Sequence, residues 1–162
     1  MSNYSLVGAS GEFLVAYEIS KRGAVATLTL KNTPKIDILA TNLIKGTFAN
    51  IQVKTRSEAN TQGWKLTKKV EEKSRIKNHF YVFVNLNADG AADYYIIPHN
   101  EFATMTVKKH KKWLEMKDRK GNPHKDNDIR NFAPEKAHLL IHKADAALGA
   151  KYKNKWEALG IF

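Results

Sequence analysis

An acid, an amide and an ammonium group occupy two short apolar segments of this chain. Asp37 lies in the segment 36–39, and Gln52 and Lys54 lie in the segment 51–55. In an extended strand, residues two apart share a face, so Gln52 and Lys54 project together while their neighbours enter a core. If the segment around Asp37 is the adjoining strand, its carboxylate lies beside them. An acid, an oxygen donor and an ammonium group at one strand end can hold a divalent cation and polarise a phosphate.

A helix that precedes these segments carries a further acid. The pattern over 8–23 predicts a helix with Ser10 as its N-cap and Gly23 as its C-terminal stop. Glu12 falls on the same stripe of this helix as the inward-facing apolar side chains. An acid at the rim of a buried stripe is a candidate for a role in the site.

The rest of the chain alternates between strand and helix signals. Strands are expected at 24–30, 35–40, 48–55, 64–66, 79–86 and 93–97. The first three follow one another through short turns, which predicts a meander. Pro98 ends the last strand and starts a helix, 117–128 is a polar loop, and a further helix is predicted over 135–148. With 162 residues, one α/β domain covering 1–162 is expected.

The charge and composition narrow the classes of function. Lys and Arg number 27 against 16 Asp and Glu, and the net charge of +11 favours a polyanionic partner such as nucleic acid. There is no cysteine, which excludes disulfides, thiolate zinc sites and cysteine nucleophiles. No window has the length and apolarity needed to span a bilayer, so we expect a cytoplasmic protein that has no membrane partner.

The early helix acid, the segment around Asp37 and the Gln52–Val53–Lys54 strand together resemble the PD-(D/E)XK nuclease superfamily. The likeness is nearest to its restriction-endonuclease-like and Holliday-junction-resolvase-like members, and it covers roughly the first 100 residues as the order of helix and strands. It implies a restriction-endonuclease-like core, with a central mixed β-sheet flanked by helices. It also implies a centre that hydrolyses DNA phosphodiester bonds with Mg²⁺ or Mn²⁺.

The resemblance implies a role for each residue. Asp37 corresponds to the metal-binding acid, Gln52 stands where the family has a second acid, and Lys54 corresponds to the lysine that acts on the attacking water. Glu12 corresponds to an outer metal ligand. The ion would be held by Asp37, Gln52 and the Val53 carbonyl. An amide oxygen can bind magnesium but adds no negative charge, so a lower metal affinity is expected unless Glu12 restores it.

Basic residues are dense in 54–77 and in 108–125. We expect phosphate contacts from Arg56, Lys68 and Lys69, and Trp64 is a candidate for stacking on an unpaired base. The alternative is a solvated helix face with Trp64 in the core. Further candidates for nucleic-acid contacts are Lys65 and Arg130.

Two features leave alternatives open. His138 and His142 have the i, i+4 spacing of a metal pair on a helix, but no acid or cysteine partner lies between them, which favours surface histidines. The aromatic C-terminal segment could form a homodimer contact or pack on its own core. It contains Tyr152, Trp156, Leu159, Ile161 and Phe162.

The preferred hypothesis is a magnesium-dependent DNA endonuclease. The rival is a non-catalytic nucleic-acid-binding module that retains the nuclease fold. A structural or interaction protein with incidental charge is the third class, and it predicts no salt-sensitive binding to nucleic acid.

Overall fold

A computed structural model describes residues 3–30, 33–57, 59–118 and 120–162. The α-helices are α1 (Asn3–Lys21), α2 (His99–Glu115) and α3 (Lys143–Tyr152). The strands are β1 (Val25–Leu28), β2 (Ile38–Asn42), β3 (Thr47–Ser57), β4 (Trp64–Thr67), β5 (His79–Leu86), β6 (Ala92–Pro98) and β7 (Ile129–Phe132). Short 3₁₀-helices occupy Lys68–Glu71, Pro134–Lys136, Leu140–His142 and Trp156–Leu159. None of the described helices is long and apolar enough to cross a bilayer.

A mixed sheet of five strands forms the centre of the molecule, in the order β1-β2-β3-β5-β6. The first three strands are an antiparallel meander, β5 lies parallel to β3, and β6 returns antiparallel to β5. Strands β4 and β7 pair separately as a two-stranded antiparallel sheet. The predicted α/β class, with a mixed sheet flanked by helices, is confirmed.

The central sheet separates two cores. One face carries Ile51 and Val53, and α1 packs on it through Val15 and Ile19, which are completely buried. The other face carries Tyr81, and α2, α3 and the two-stranded sheet cover it. Strand β5 is buried over most of its length because it lies between these two cores, as its continuous apolar run predicts.

Helix α1 begins at Asn3, ahead of the predicted segment 8–23. Ser10 lies inside it and donates its hydroxyl to the carbonyl of Leu6 at 2.8 Å. The N-cap prediction for Ser10 was wrong because a serine hydroxyl within a helix can bond to the carbonyl four residues earlier. Gly23 follows the helix end as predicted, with a φ of +84° that favours glycine.

The region after α2 differs most from the prediction. In place of one helix over 135–148, two short 3₁₀-helices precede α3, which begins at Lys143. Strand β7 was not predicted. It has only four residues, and its partner β4 lies far away in sequence, so no local pattern marks it.

The C-terminal segment packs on its own chain. Trp156, Leu159 and Ile161 are buried in the core beneath α1. Of the two alternatives for this segment, the structure shows packing on its own core for these three residues. They therefore offer no surface for a homodimer.

Candidate functional site

Asp37 lies at the start of β2 and contacts the backbone of β3 beside the positions of Gln52 and Lys54. Asp37 immediately precedes β2, and its backbone amide donates to the carbonyl of Ile51 at 2.8 Å. The Asp37 carboxylate accepts a hydrogen bond through Oδ2 from the amide of Val53 at 2.7 Å. This contact fixes the carboxylate against β3 between the positions of Gln52 and Lys54. One carboxylate oxygen is held by the backbone, and the other has no hydrogen bond among the described residues.

Gln52 and Lys54 open together into a cleft of about 310 Å³ between β3, β4 and the start of α2. They share the face of the sheet that carries Tyr81, the register partner of Gln52. Other elements bring three further lysines to the same cleft. The lysine cleft is defined by Lys35, Gln52, Lys54, Lys65, Lys69 and His99.

The charge of the lysine cleft is uncompensated. Lys54, Lys65 and Lys69 have no ion pair among the described residues, and Lys35 meets Glu72 at 3.3 Å in an exposed pair. No described carboxylate lines the cleft wall, and Asp37 lies next to the cleft on the β2 side of β3. A concave surface with four ammonium groups concentrates anions, and phosphate oxygens satisfy such donors well.

A pair of histidines positions the loop that leads to Asp37. The Nε2 of His79 donates to the carbonyl of Lys35 at 3.0 Å, and its Nδ1 accepts from the Ser74 hydroxyl at 2.8 Å. Lys35 has a φ of +65°, a backbone conformation that this hydrogen bond helps to hold. The His79 ring stacks on His99 with centroids 4.3 Å apart. Burial lowers the pKa of His79 and lowers that of His99 to about 4, so both rings are neutral at neutral pH.

Glu12 approaches β3 from the opposite side. Helix α1 lies so close to β3 that a Cβ on Gly11 would sit 1.9 Å from the Oγ1 of Thr55. Thr55 projects away from the face of Gln52 and Lys54 because strand neighbours alternate. Glu12 does not line the lysine cleft, and its role as an outer metal ligand stays a prediction.

Arg56 and Trp64 do not belong to a nucleic-acid surface. Trp64 is 3% exposed and packs among the aromatic side chains of the second core. Arg56 is 8% exposed, its guanidinium lies 4.1 Å from the centre of the Trp64 ring, and it donates to Glu135 at 2.6 Å and Asn85 at 2.8 Å. The predictions of base stacking by Trp64 and of a phosphate contact by Arg56 are corrected, because both side chains are buried and contact other residues of the fold.

Arg130 is corrected for the same reason. It is 5% exposed, donates through Nε to Glu71 at 2.5 Å, and donates through Nη1 to the carbonyl of Asn127 at 2.6 Å. Lys65, Lys68 and Lys69 are exposed, so their predicted phosphate contacts remain compatible with the structure.

The two histidines of the predicted pair lie in different environments. His138 is exposed on a turn, as expected for a surface histidine, and is not helical. His142 is partly buried, and its Nδ1 lies 2.6 Å from the carboxylate of Asp145. This contact was not predicted from the sequence. It was also not predicted that Lys35 and His99 line the cleft and that His79 bonds to the carbonyl of Lys35.

Two observations bear on a cation at Asp37. Within the described residues, no group of three or more histidine, cysteine, aspartate or glutamate side chains is arranged to hold a metal ion. The oxygen atoms that the structure places there are instead the Asp37 carboxylate and backbone carbonyls of β3, with Gln52 next to Val53 on the strand. Carboxylate, amide and carbonyl oxygens are hard ligands of the kind magnesium prefers.

Comparisons of the chain with protein-family models, with curated proteins and with solved structures each found no match. The resemblance to the PD-(D/E)XK superfamily therefore depends on the residues and on the order of elements described above. Its consequences for activity are treated as a proposal.

Proposed function

We propose that this chain is a metal-dependent phosphodiesterase that hydrolyses DNA at the lysine cleft, on a core of the restriction-endonuclease type. One observation carries the proposal: the Asp37 carboxylate is fixed on the Val53 amide at 2.7 Å, beside Gln52 and Lys54. The α1–β1–β2–β3 order, followed by the parallel strand β5, supports the same core. The net charge of +11 fits a nucleic-acid substrate.

The donor atoms near Asp37 fit a hard divalent cation. A strand residue directs its N–H and C=O to the same side, so the Val53 carbonyl leaves β3 on the side of Asp37. With the second carboxylate oxygen and the Gln52 amide oxygen, this gives three oxygen donors. Magnesium is commonly held by one or two carboxylates together with substrate phosphates, so a single carboxylate is sufficient once phosphate is bound.

The bound ion would neutralise the phosphate and lower the pKa of a coordinated water. The chain itself supplies the rest. Lys54 would stabilise charge that develops on the phosphate, since it shares the face and cleft of Gln52. Lys65 and Lys69 would bind neighbouring phosphates, and the His79 hydrogen bond would keep the loop before Asp37 in place.

A non-catalytic binding module is the second candidate, and one observation favours it. The cleft wall has four lysines and no described carboxylate, a composition that binds phosphate without any ion. The two candidates share the same surface and differ in whether Asp37 acts on the substrate. Metal dependence separates them.

The test is cleavage of labelled duplex, flap, junction and single-stranded DNA with and without Mg²⁺ or Mn²⁺. We expect cleavage only with the ion, and Asp37→Asn should reduce it on the order of 100-fold or more while binding persists. Gln52→Glu should lower the magnesium concentration needed for cleavage because it adds a charged ligand. If the wild-type protein and Gln52→Glu both bind DNA in a salt-sensitive way but cleave no substrate, the protein is a binding module.

A further inference from the structure

A second concave site lies beyond the lysine cleft. It is a cavity of about 270 Å³ between the C-terminal half of α2, strand β7 and the 3₁₀-helix Leu140–His142. Ligand pockets usually span about 300 to 1,000 Å³, so this one suits a molecule of one or two rings. The α2 cavity is defined by Lys109, Trp113, Asn127, Ile129, Ile141 and His142.

A buried ion cluster supports the wall of the α2 cavity. Asp145 is 0% exposed, and its Oδ2 accepts from the Lys109 ammonium at 2.5 Å and from the Ala133 amide at 3.1 Å. The same oxygen lies 2.6 Å from Nδ1 of His142. Burial lowers the pKa of Lys109, and the Asp145 charge opposes this effect. Burying an ion pair is expensive, so an apolar packing of similar volume would serve stability at least as well.

The cluster fixes the tautomer of His142. Nδ1 lies 2.6 Å from the Asp145 carboxylate and 3.3 Å from the Lys109 ammonium. The shorter contact is to an oxygen that can only accept, so Nδ1 donates to Asp145. The remaining ring nitrogen, Nε2, has no hydrogen-bond partner among the described residues. His142 lines the α2 cavity and thus presents one ring nitrogen that is available for a hydrogen bond with a ligand.

The charges around the α2 cavity are paired. Lys109 meets Asp145, and Arg130 meets Glu71 at 2.5 Å. His110 lies 2.7 Å from Asp126. A charged ligand would have to compete with these pairs. A neutral ligand avoids that cost, and the apolar walls provide a surface for a flat ring.

Trp113, Ile129 and Ile141 supply those walls. The Trp113 ring is held by two stacked histidines, His124 with centroids 4.1 Å apart and His110 with centroids 5.4 Å apart. Asn127 adds polar capacity at the same site, since its Oδ1 accepts from the Ile129 amide and its Nδ2 has no partner among the described residues. The α2 cavity therefore combines apolar walls with two side chains, His142 and Asn127, that can form hydrogen bonds with a ligand.

We propose that the α2 cavity binds a nucleobase, a neutral heterocycle that hydrogen-bonds to Nε2 of His142 while Asn127 donates to a base carbonyl or ring nitrogen. The lysine cleft and the α2 cavity adjoin through the β4–β7 sheet, where Lys65 of the cleft is in register with Asn131 of the cavity. This inference deepens the proposed function and rests on it for the substrate. A strand bound at the lysine cleft would place an unpaired base in the α2 cavity.

The test uses free nucleosides and no metal. Adenosine, guanosine, cytidine and uridine are titrated into the intact protein, and binding is followed by ligand-observed NMR and Trp113-sensitive fluorescence. At least one nucleoside should bind saturably. His142→Ala should weaken that nucleoside's binding about tenfold or more, because a buried hydrogen bond of this kind contributes roughly 1–3 kcal/mol.

Two further variants make the result decisive. Ile141→Trp fills the α2 cavity without touching the ion cluster and should abolish nucleoside binding, even if His142→Ala proves unstable. His138→Ala changes an exposed histidine nearby and should leave binding unchanged. No saturable binding, binding that survives Ile141→Trp, or displacement of the nucleoside by inorganic phosphate would overturn the proposal. Nucleoside binding without any DNA cleavage would uphold the base site and reject only the nuclease activity.

Discussion

The lysine cleft and the α2 cavity border adjoining strands, but the basic residues of the cleft are mostly unpaired and those of the cavity are paired with carboxylates. In the lysine cleft, Lys65 and Lys69 are exposed and Lys54 is half-buried, and none of the three has an ion pair among the described residues. Around the α2 cavity, Lys109 and Arg130 are each bound to a carboxylate inside the fold. A cation left unpaired is available to a polyanion, whereas a paired and buried cation shapes a neutral site. The net charge of the chain does not reveal which cations are unpaired and which are paired.

The largest effect is expected where a paired cation is left alone. Asp145→Ala removes the only carboxylate that contacts the Lys109 ammonium within the described residues. It leaves a buried charge and should lower the free energy of unfolding by about 3–5 kcal/mol. Urea denaturation at neutral pH measures this change.

Two controls separate the buried charge from a general loss of packing. The double variant Lys109→Met with Asp145→Leu removes both charges and should recover most of the lost stability. Lys155→Ala breaks an exposed pair with Glu157 and should have no measurable effect. If the double variant is as unstable as the single one, the pairing account of this region fails.

The next effect concerns pH and the histidine stack beside the lysine cleft. Burial lowers the pKa of His99 from 6.5 to about 4, so between these values the unfolded chain binds a proton that the folded chain does not. Stability should therefore fall as the pH drops from 6.5 toward 4, by roughly 1 kcal/mol per pH unit for one histidine. His79, whose pKa burial also lowers, should add to the slope.

The contribution of the stack is read from His99→Phe, which retains a flat ring against His79 and Tyr81. This variant should show a shallower loss of stability between pH 6.5 and 4 in thermal or urea unfolding. His138→Ala, at an exposed position, should keep the wild-type slope. An unchanged slope in His99→Phe would mean that the stack does not govern acid sensitivity.

The smallest effect tests the unpaired lysines directly. Lys65→Gln with Lys69→Gln should reduce the slope of log binding constant against log salt by about 2 in magnitude, close to 0.9 for each lost phosphate contact. Fluorescence anisotropy with labelled DNA at several salt concentrations gives this slope. Lys155→Gln, outside the lysine cleft, should leave it unchanged. Equal slopes for all three proteins would remove the lysine cleft from the binding surface.

Much of the central sheet could be predicted because its signals are local. Strand β5 matches the predicted segment 79–86, since a continuous apolar run marks a strand that is buried on both faces. The helix stop at Gly23 follows from the preference of glycine for a positive φ. Strand β7 could not be predicted, because it has four residues and its partner β4 lies far away in the sequence. The buried contacts of Asp145 in α3 with Lys109 and Ala133 likewise leave no mark in the local pattern.

In the candidate site too, local patterns predict some features and miss those that depend on distant contacts. Alternation along β3 predicts that Gln52 and Lys54 share a face, and both line the lysine cleft. Asp37 contacts the backbone of β3 at Val53, and its role with Gln52 at a metal ion stays a prediction. The burial of Arg56 and Arg130 could not be read from the sequence, since their carboxylate partners lie 79 and 59 positions away. A basic residue in a polar segment gives no local sign of whether its partner is a phosphate or an internal acid.

The central claim is that Asp37, Gln52 and the Val53 carbonyl hold one hard cation. Titration of Mn²⁺ into isotope-labelled protein with a short DNA strand tests it most directly, because the ion broadens NMR signals of nearby groups. We predict that the Gln52 side-chain amide and the backbone amides of Asp37 and Val53 broaden first, and that Asp37→Asn abolishes the effect. Broadening centred elsewhere, or the same broadening in Asp37→Asn, would contradict the metal site.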